Sequence, residues 1–211
     1  QARRLNRTER QSFVNSHVLL SKVTTQVAQI QRLDIEILGV FSNPTRFNAP
    51  LTAGAAPMPL RPLALGQELK FLLRAVPSSQ LAIEPAASLR DVASAVEAHS
   101  PRFLHFSGHS VSGSLAFELP SGRIELPPVA DFITLLSRRA APRLQSVFLN
   151  GCTTAELGYQ IVHELPWLTV ICWATVTEDT AARVFAQGFY DAAGGCLRHE
   201  EPLQVDLCYW A

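Results

Sequence analysis

Two residues of this chain, His109 and Cys152, have the types and the placement to do chemistry, and each closes a short apolar run. The first run is Arg102-Phe103-Leu104-His105-Phe106-Ser107-Gly108-His109-Ser110, and the second is Ser146-Val147-Phe148-Leu149-Asn150-Gly151-Cys152-Thr153-Thr154. A cysteine attacks as its thiolate and needs a base or a positive field beside it. A histidine can be that base and can return the proton to a leaving group. Cys152 stands just before a stretch that reads as a helix from Thr153 or Thr154 to Glu164, whose first N–H groups and dipole favour a negative sulfur. Backbone N–H groups at Ser110 and Cys152 are the natural donors to the oxyanion of a tetrahedral intermediate. Gly108 and Gly151 let the backbone turn sharply at both places. Singly, an inert buried thiol and a turn histidine are the commoner roles for such residues. Their joint placement, each beside a glycine at a strand end, favours a catalytic pair.

The elements that must position this pair follow from pattern. Short apolar runs bounded by turn residues read as buried strands of a parallel sheet, and catalytic groups collect at the carboxyl ends of such strands. A first strand spans Asp34 to Phe41 and stops at Ser42-Asn43-Pro44. A Pro-rich loop follows from Thr45 to Pro62, then a helix from Leu63 to Val76 with Leu65, Leu69, Leu72 and Leu73 on one face. Gln80 to Glu84 reads as a strand, and Ser88 caps a helix through Ala98 with Asp91 in its first turn. After His109, Ser114 to Leu119 and Arg123 to Leu126 flank Pro120-Ser121-Gly122 as a β-hairpin. A helix from Pro127 to Arg139 precedes the Cys152 strand; Leu168 to Trp173 is a further strand, Glu178 to Ala192 a helix, and Leu203 to Trp210 a last strand. Strands alternating with helices predict an α/β sandwich with a largely parallel sheet. Ahead of it, Phe13, Val14, Val18, Leu19, Val23, Val27, Ile30 and Leu33 recur at helical spacing. The expected division is residues 1–33, a helix or a link to an upstream region, and residues 34–211, one domain.

Composition excludes several classes. With 211 residues, 47% of them hydrophobic and 17% charged, the chain can bury a globular core. A formal net charge of zero argues against nucleic acid as a direct partner. The cluster Arg3, Arg4, Arg7 and Arg10 reads as a solvated helix start. No run suits a membrane span. Cys152, Cys172, Cys196 and Cys208 show no CxxC spacing, so neither zinc nor a redox pair is expected, and free thiols suit a cytoplasmic protein. His105, four residues before His109 on a strand, cannot join it on one metal as it would on a helix, and reads as a core or supporting histidine. Glycine-rich nucleotide motifs and a serine-hydrolase elbow are lacking, so no metal and no cofactor are expected. An opening Gln1 in place of Met suggests a piece of a longer chain.

The His109 and Cys152 blocks together resemble the CHAT family of caspase-like peptidases, relatives of caspases, metacaspases and separases. Cys152 follows His109 by 43 residues, close to the roughly 50 of caspases. Ile37-Leu38-Gly39-Val40-Phe41-Ser42-Asn43-Pro44 is similar to the family's opening strand and turn, and the stretch from Glu178 to Tyr190 to its late helix. The resemblance spans about residues 35–195. It implies a caspase-like three-layer sandwich around a mostly parallel six-stranded sheet. It further implies a Cys152–His109 dyad, endopeptidase activity on a protein or peptide substrate without cofactor, and a sensor or repeat region elsewhere in the full-length chain. Some relatives cut a partner protein in prokaryotic immunity.

Two residues depart from the family. Ser110 follows the catalytic histidine where Gly is usual, which crowds the oxyanion side. Asn150 stands where metacaspases carry the Asp that recognises a basic P1 side chain. That recognition then falls to Asn150 without a charge, or to Glu178 and Asp179, unless these two are simply helix-start carboxylates. Two competing expectations remain: a catalytically silent caspase-like interaction module, and a thiol amidase acting on small molecules.

Overall fold

Alternation along the apolar runs builds a sheet with two covered faces. A computed structural model of the protein describes residues 35–45, 60–111 and 113–199. The expected helix at 11–33, the basic cluster near the start, the loop from 46 to 59, the strand at 203–210 and Cys208 lie outside the described residues. In chain order come β1 (Ile37–Ser42), α1 (Leu65–Ala75), β2 (Leu81–Glu84), α2 (Leu89–His99), β3 (Phe103–Gly108), β4 (Ser110–Val111), β5 (Ser114–Leu115), β6 (Phe117–Glu118), β7 (Ile124–Glu125), α3 (Val129–Leu136), β8 (Ser146–Asn150), α4 (Ala155–Glu164), β9 (Thr169–Cys172) and α5 (Asp179–Arg198).

The main sheet has the order β2-β1-β3-β8-β9, and every pairing in it is parallel. Parallel strands are buried on both faces, and β1, β3 and β8 are buried at every position. On one face Leu38, Val40, Leu104, Phe106, Val147 and Leu149 pack with α2, α3 and α4, through side chains such as Val96, Leu136 and Ile161. On the other, Ile37, Phe41, Phe103 and Phe148 pack with α1 and α5, through Leu72, Phe189 and Tyr190. Each fully buried Leu, Val or Phe contributes roughly 1.5–3 kcal/mol, so these two layers dominate stability. The fold is an α/β three-layer sandwich, consistent with the caspase-like expectation.

Local chemistry explains where the elements begin. The Ser88 hydroxyl accepts from the Asp91 N–H at 3.2 Å while the Asp91 carboxylate accepts from the Ser88 N–H at 3.0 Å. This reciprocal cap, worth about 1 kcal/mol, starts α2 at the expected place. Among the described residues no helix is long and apolar enough to cross a membrane.

Several expectations are corrected. Among the described residues the main sheet has five strands, and the last expected strand, 203–210, lies outside them. The run from Ser114 to Leu119 is not one strand: β5 turns back on β4, while β6 pairs with β7. The break falls at Ala116, while Gly113, with a φ of +78°, makes the tight turn that folds β5 back on β4. Leu73 is 56% exposed and belongs to the outer side of α1. Helix α5 runs past Ala192 to Arg198, because Gly194 lies directly against the Ala75 carbonyl of α1 and packing overrides the weak helix propensity there.

Candidate active site

Strands β3 and β8 are neighbours, with Ser107 opposite Asn150. Two residues further along each chain stand His109 and Cys152, so the register brings them to matching places just beyond the carboxyl ends. Neighbouring strands lie about 4.8 Å apart, so the two turns leave the sheet side by side. Phe103 and Phe148 face the α1/α5 layer, and His105, Ser107 and Asn150 share their parity along the two strands.

The turns that leave the two strands are tightly built. A Cβ on Gly108 would stand 2.5 Å from the Ser42 carbonyl oxygen, and one on Gly151 would stand 3.0 Å from the Gly108 carbonyl oxygen. Only glycine allows β1, β3 and β8 to converge here. Beyond His109 the chain doubles back, and the Ala116 N–H donates to the His109 carbonyl at 2.9 Å. Antiparallel pairs alternate between bonded and unbonded, so the Ser110–Leu115 pair is unbonded and the Ser110 N–H stays out of the ladder. The Ser110 hydroxyl instead donates to the Cys152 carbonyl and ties the histidine turn to the cysteine turn.

Directly after Cys152, Thr153 adopts a φ of +50°. For a β-branched residue this left-handed conformation costs on the order of 1–3 kcal/mol and persists only where surrounding bonds impose it. They do. The Thr153 and Ala155 N–H groups donate to the Thr175 and Trp173 carbonyls at 3.1 and 3.0 Å. The buried Thr154 hydroxyl lies 3.1 Å from both the Leu149 and Gly151 carbonyls and accepts from the Trp173 N–H at 3.1 Å. Cys152 is thereby presented, half-buried, at a strained strand-to-helix turn. Its N–H has no acceptor among the described residues, and its thiol donates to the Thr177 carbonyl at 3.6 Å.

His109 is set up as a neutral base. Burial pushes its pKa below the ordinary 6.5, against the opposing pull of a hydrogen bond to the Arg61 backbone and of the Asp179 charge. A backbone group that raises a histidine's proton affinity must be an accepting carbonyl, so one ring N–H donates to Arg61. Nε2 is buried and has no partner among the described residues. A ring anchored through one nitrogen keeps the lone pair of the other for a proton.

Beneath the pair lies Glu68 of α1, 2% exposed. Its carboxylate accepts from the Ser107 hydroxyl at 2.8 Å and the Asn150 amide at 2.9 Å. His105 Nε2 stands 2.7 Å from Oε1, although its N–H does not point squarely along that line. Burial alone would raise the Glu68 pKa; the hydrogen bond and charge of His105 and the bonds from Asn150 and Ser107 outweigh it, and the carboxyl is held below its ordinary value. The Asn150 carbonyl oxygen accepts from Trp173 Nε1 at 2.7 Å, so α1, β3, β8 and the end of β9 are joined under the site.

A narrow cleft of about 50 Å³ opens beside Cys152, lined by Leu63, Leu65, Glu68, Asn150, Thr177 and Asp179 among others. Of the residues expected from sequence, Cys152, Gly108 and Gly151 line it; Ser110 is tied to the Cys152 carbonyl, and His109, which feels the Asp179 charge, is not part of the lining. Asn150 lines the cleft, but both ends of its amide are already committed to Glu68 and Trp173. Asp179 is at the cleft and also paired with Arg183 at 3.3 Å, whereas Glu178 is exposed and not part of the lining. Glu68, Thr154 and Trp173 escaped the sequence reading. A signal for Glu68 exists: it falls three after Leu65 and four before Leu72, a carboxylate on the apolar stripe of its helix.

No protein-family model matches this chain, and no curated protein matches it significantly.

Proposed function

We propose that the chain is a caspase-like cysteine endopeptidase of the CHAT type, with Cys152 as nucleophile and His109 as proton shuttle. The observation that carries this reading is the register of β3 and β8, whose matching carboxyl ends lead into a histidine with an unengaged Nε2 and a half-buried cysteine. In the first step His109 takes the Cys152 proton and the thiolate attacks the scissile carbonyl, forming a C–S bond. The N–H groups of Cys152 and Ser110, both outside the local ladders, are the donors for the resulting oxyanion. His109 then gives the proton to the departing amine as the C–N bond breaks. Water, deprotonated by His109, hydrolyses the thioester and releases the acid and the free thiol.

The substrate would lie extended across the carboxyl edge of the sheet. Asp179 is the acid placed to favour a basic side chain next to the scissile bond, while Asn150 acts as a positioning residue. Glu178, outside the cleft, has no part in it. In a longer chain this domain would be the effector that a sensor or repeat region switches on, with a partner protein as substrate.

One observation favours a second reading, a silent interaction module. The Cys152 thiol is turned to the Thr177 carbonyl, and the cleft of about 50 Å³ is smaller than a substrate side chain needs. For turnover the segment 174–178 has to move outward.

The test is cleavage of a diverse peptide library by the protein and by Cys152→Ala, read by mass spectrometry. The peptidase reading expects cuts that vanish in the variant, with enrichment of Lys or Arg at P1. Cuts that survive in Cys152→Ala would sink it.

A further inference from the structure

The carboxyl end of β1 meets His109 from two directions. Ser42, its last residue, is fully buried, and its hydroxyl donates to the Ala116 carbonyl at 2.7 Å. Ala116 in turn donates its N–H to the His109 carbonyl, so β1 supports the backbone of the histidine. The next residue, Asn43, acts on the side of the ring.

Asn43 stands before Pro44, where an asparagine ordinarily bonds its own backbone two residues on. Here both ends of the amide go elsewhere. Asn43 Nδ2 donates to the Leu63 carbonyl at 3.1 Å, and the Leu63 N–H donates to Asn43 Oδ1 at 3.2 Å. This two-bond grip spans 20 residues. Asn43 is itself held, because its N–H donates to Glu118 Oε2 at 3.3 Å. The Leu60 N–H donates to the Thr45 carbonyl at 3.2 Å, which seats the returning chain beside the same turn.

Between Leu63 and the carbonyl that takes the His109 ring N–H stands Pro62. Proline fixes its own φ at about −65° and confines the residue before it, here Arg61, to extended backbone. The chain from Leu63 back to Arg61 therefore has few soft torsions, and a Leu63 held in place holds the Arg61 carbonyl with it. Nε2 is the buried ring nitrogen without a partner among the described residues, so the bond to Arg61 falls to Nδ1.

We infer that Asn43 is a positioning residue for His109: its grip on Leu63 sets the Arg61 carbonyl against Nδ1 and so selects the tautomer whose Nε2 can take a proton. Its effect on turnover rests on the proposed peptidase reading; the tautomer is a property of the folded chain. An asparagine that only closed the turn would alter stability and leave the ring as it is.

Proton–nitrogen correlation NMR of the whole chain with labelled histidine, at mildly alkaline pH where the ring is neutral, reads the tautomer. His109→Ala assigns the signal. The unmodified chain should carry the His109 proton on Nδ1. Asn43→Ala should shift population to the Nε2–H form. Thr45→Ala, at the same turn but with its hydroxyl on the Gly122 carbonyl, should not. Asn43→Asp, which can accept from the Leu63 N–H but cannot donate to its carbonyl, should shift it less than Asn43→Ala. In peptide turnover Asn43→Ala should lower kcat by roughly tenfold or more, with a smaller change in KM. An Nε2–H tautomer in the unmodified chain, or an unshifted tautomer in folded Asn43→Ala or Asn43→Asp, would overturn the inference. The expected tautomer shift with no turnover in any protein, the unmodified chain included, would support the grip and count against the peptidase reading alone.

Discussion

The two faces of the sheet are made by the same strands and differ in what they bury. Toward α2, α3 and α4 the strands present Leu38, Val40, Leu104, Phe106, Val147 and Leu149, apolar from end to end. Toward α1 and α5 they begin apolar with Ile37, Phe103 and Phe148. They then turn polar along their length, through His105, Ser107 and Asn150 around Glu68, to His109 and Cys152 at the carboxyl edge. A dry layer tolerates small errors of position. A buried carboxylate does not, because each lost donor leaves it unsatisfied. Tyr190, packed edge-on against His105, shows how far this layer departs from water: burial, and then the Glu68 charge, push its hydroxyl pKa well above the ordinary value. One face supplies stability; the other holds the geometry of the pair.

The sharpest way to break this comparison is at the polar edge itself. Cys152→Ala and His109→Ala should each reduce peptide turnover by about three orders of magnitude or more while leaving the melting temperature nearly unchanged. Next come the two layers. Glu68→Ala, which strands the donors of His105, Ser107 and Asn150, should destabilise the protein by about 3–5 kcal/mol in denaturant unfolding. Leu104→Ala on the dry face should cost a similar 2–5 kcal/mol, but it should leave the pH dependence of stability as it was.

Glu68 separates the layers through its titration. Its native carboxyl sits below the ordinary 4.5, so its contribution is complete above about 4.5 and is lost as pH falls through the lower native value. In Glu68→Gln, unfolding free energy measured across that acid window should vary less with pH than in the unmodified chain. The smallest effect concerns His109. Its depressed pKa puts the acid limb of kcat/KM below the ordinary 6.5. Asp179→Asn removes a charge that holds this pKa up, so the limb should move to still lower pH. A limb that moves upward would remove Asp179 from the site.

Much of the frame could be read from the residues alone. The runs ending at Gly108 and Gly151 are local signals, and so are the Ser88 cap and the alternation of strands with helices. What escaped depends on distant partners. Glu68 meets Ser107 and Asn150 across 39 and 82 residues, and nothing near Glu68 in the chain specifies them. Asn150 appeared free to meet a substrate because Trp173, which engages its amide, is 23 residues on. Glu178 and Asp179 were indistinguishable by type, and only the start of α5 separates the exposed one from the one at the cleft. The hairpin was misread because alternation from Ser114 to Leu119 continues through a point where the chain changes partner.

The most direct test of the catalytic pair is the alkylation rate of each cysteine by iodoacetamide near neutral pH, resolved by mass spectrometry, in the unmodified chain and in His109→Ala. A base at His109 predicts that Cys152 reacts faster than Cys172, whose thiol burial pushes upward in pKa, and faster than Cys196. It also predicts that most of this advantage disappears in His109→Ala. A Cys152 no more reactive than the other two, or one indifferent to the loss of His109, would contradict the pairing on which the proposed chemistry rests.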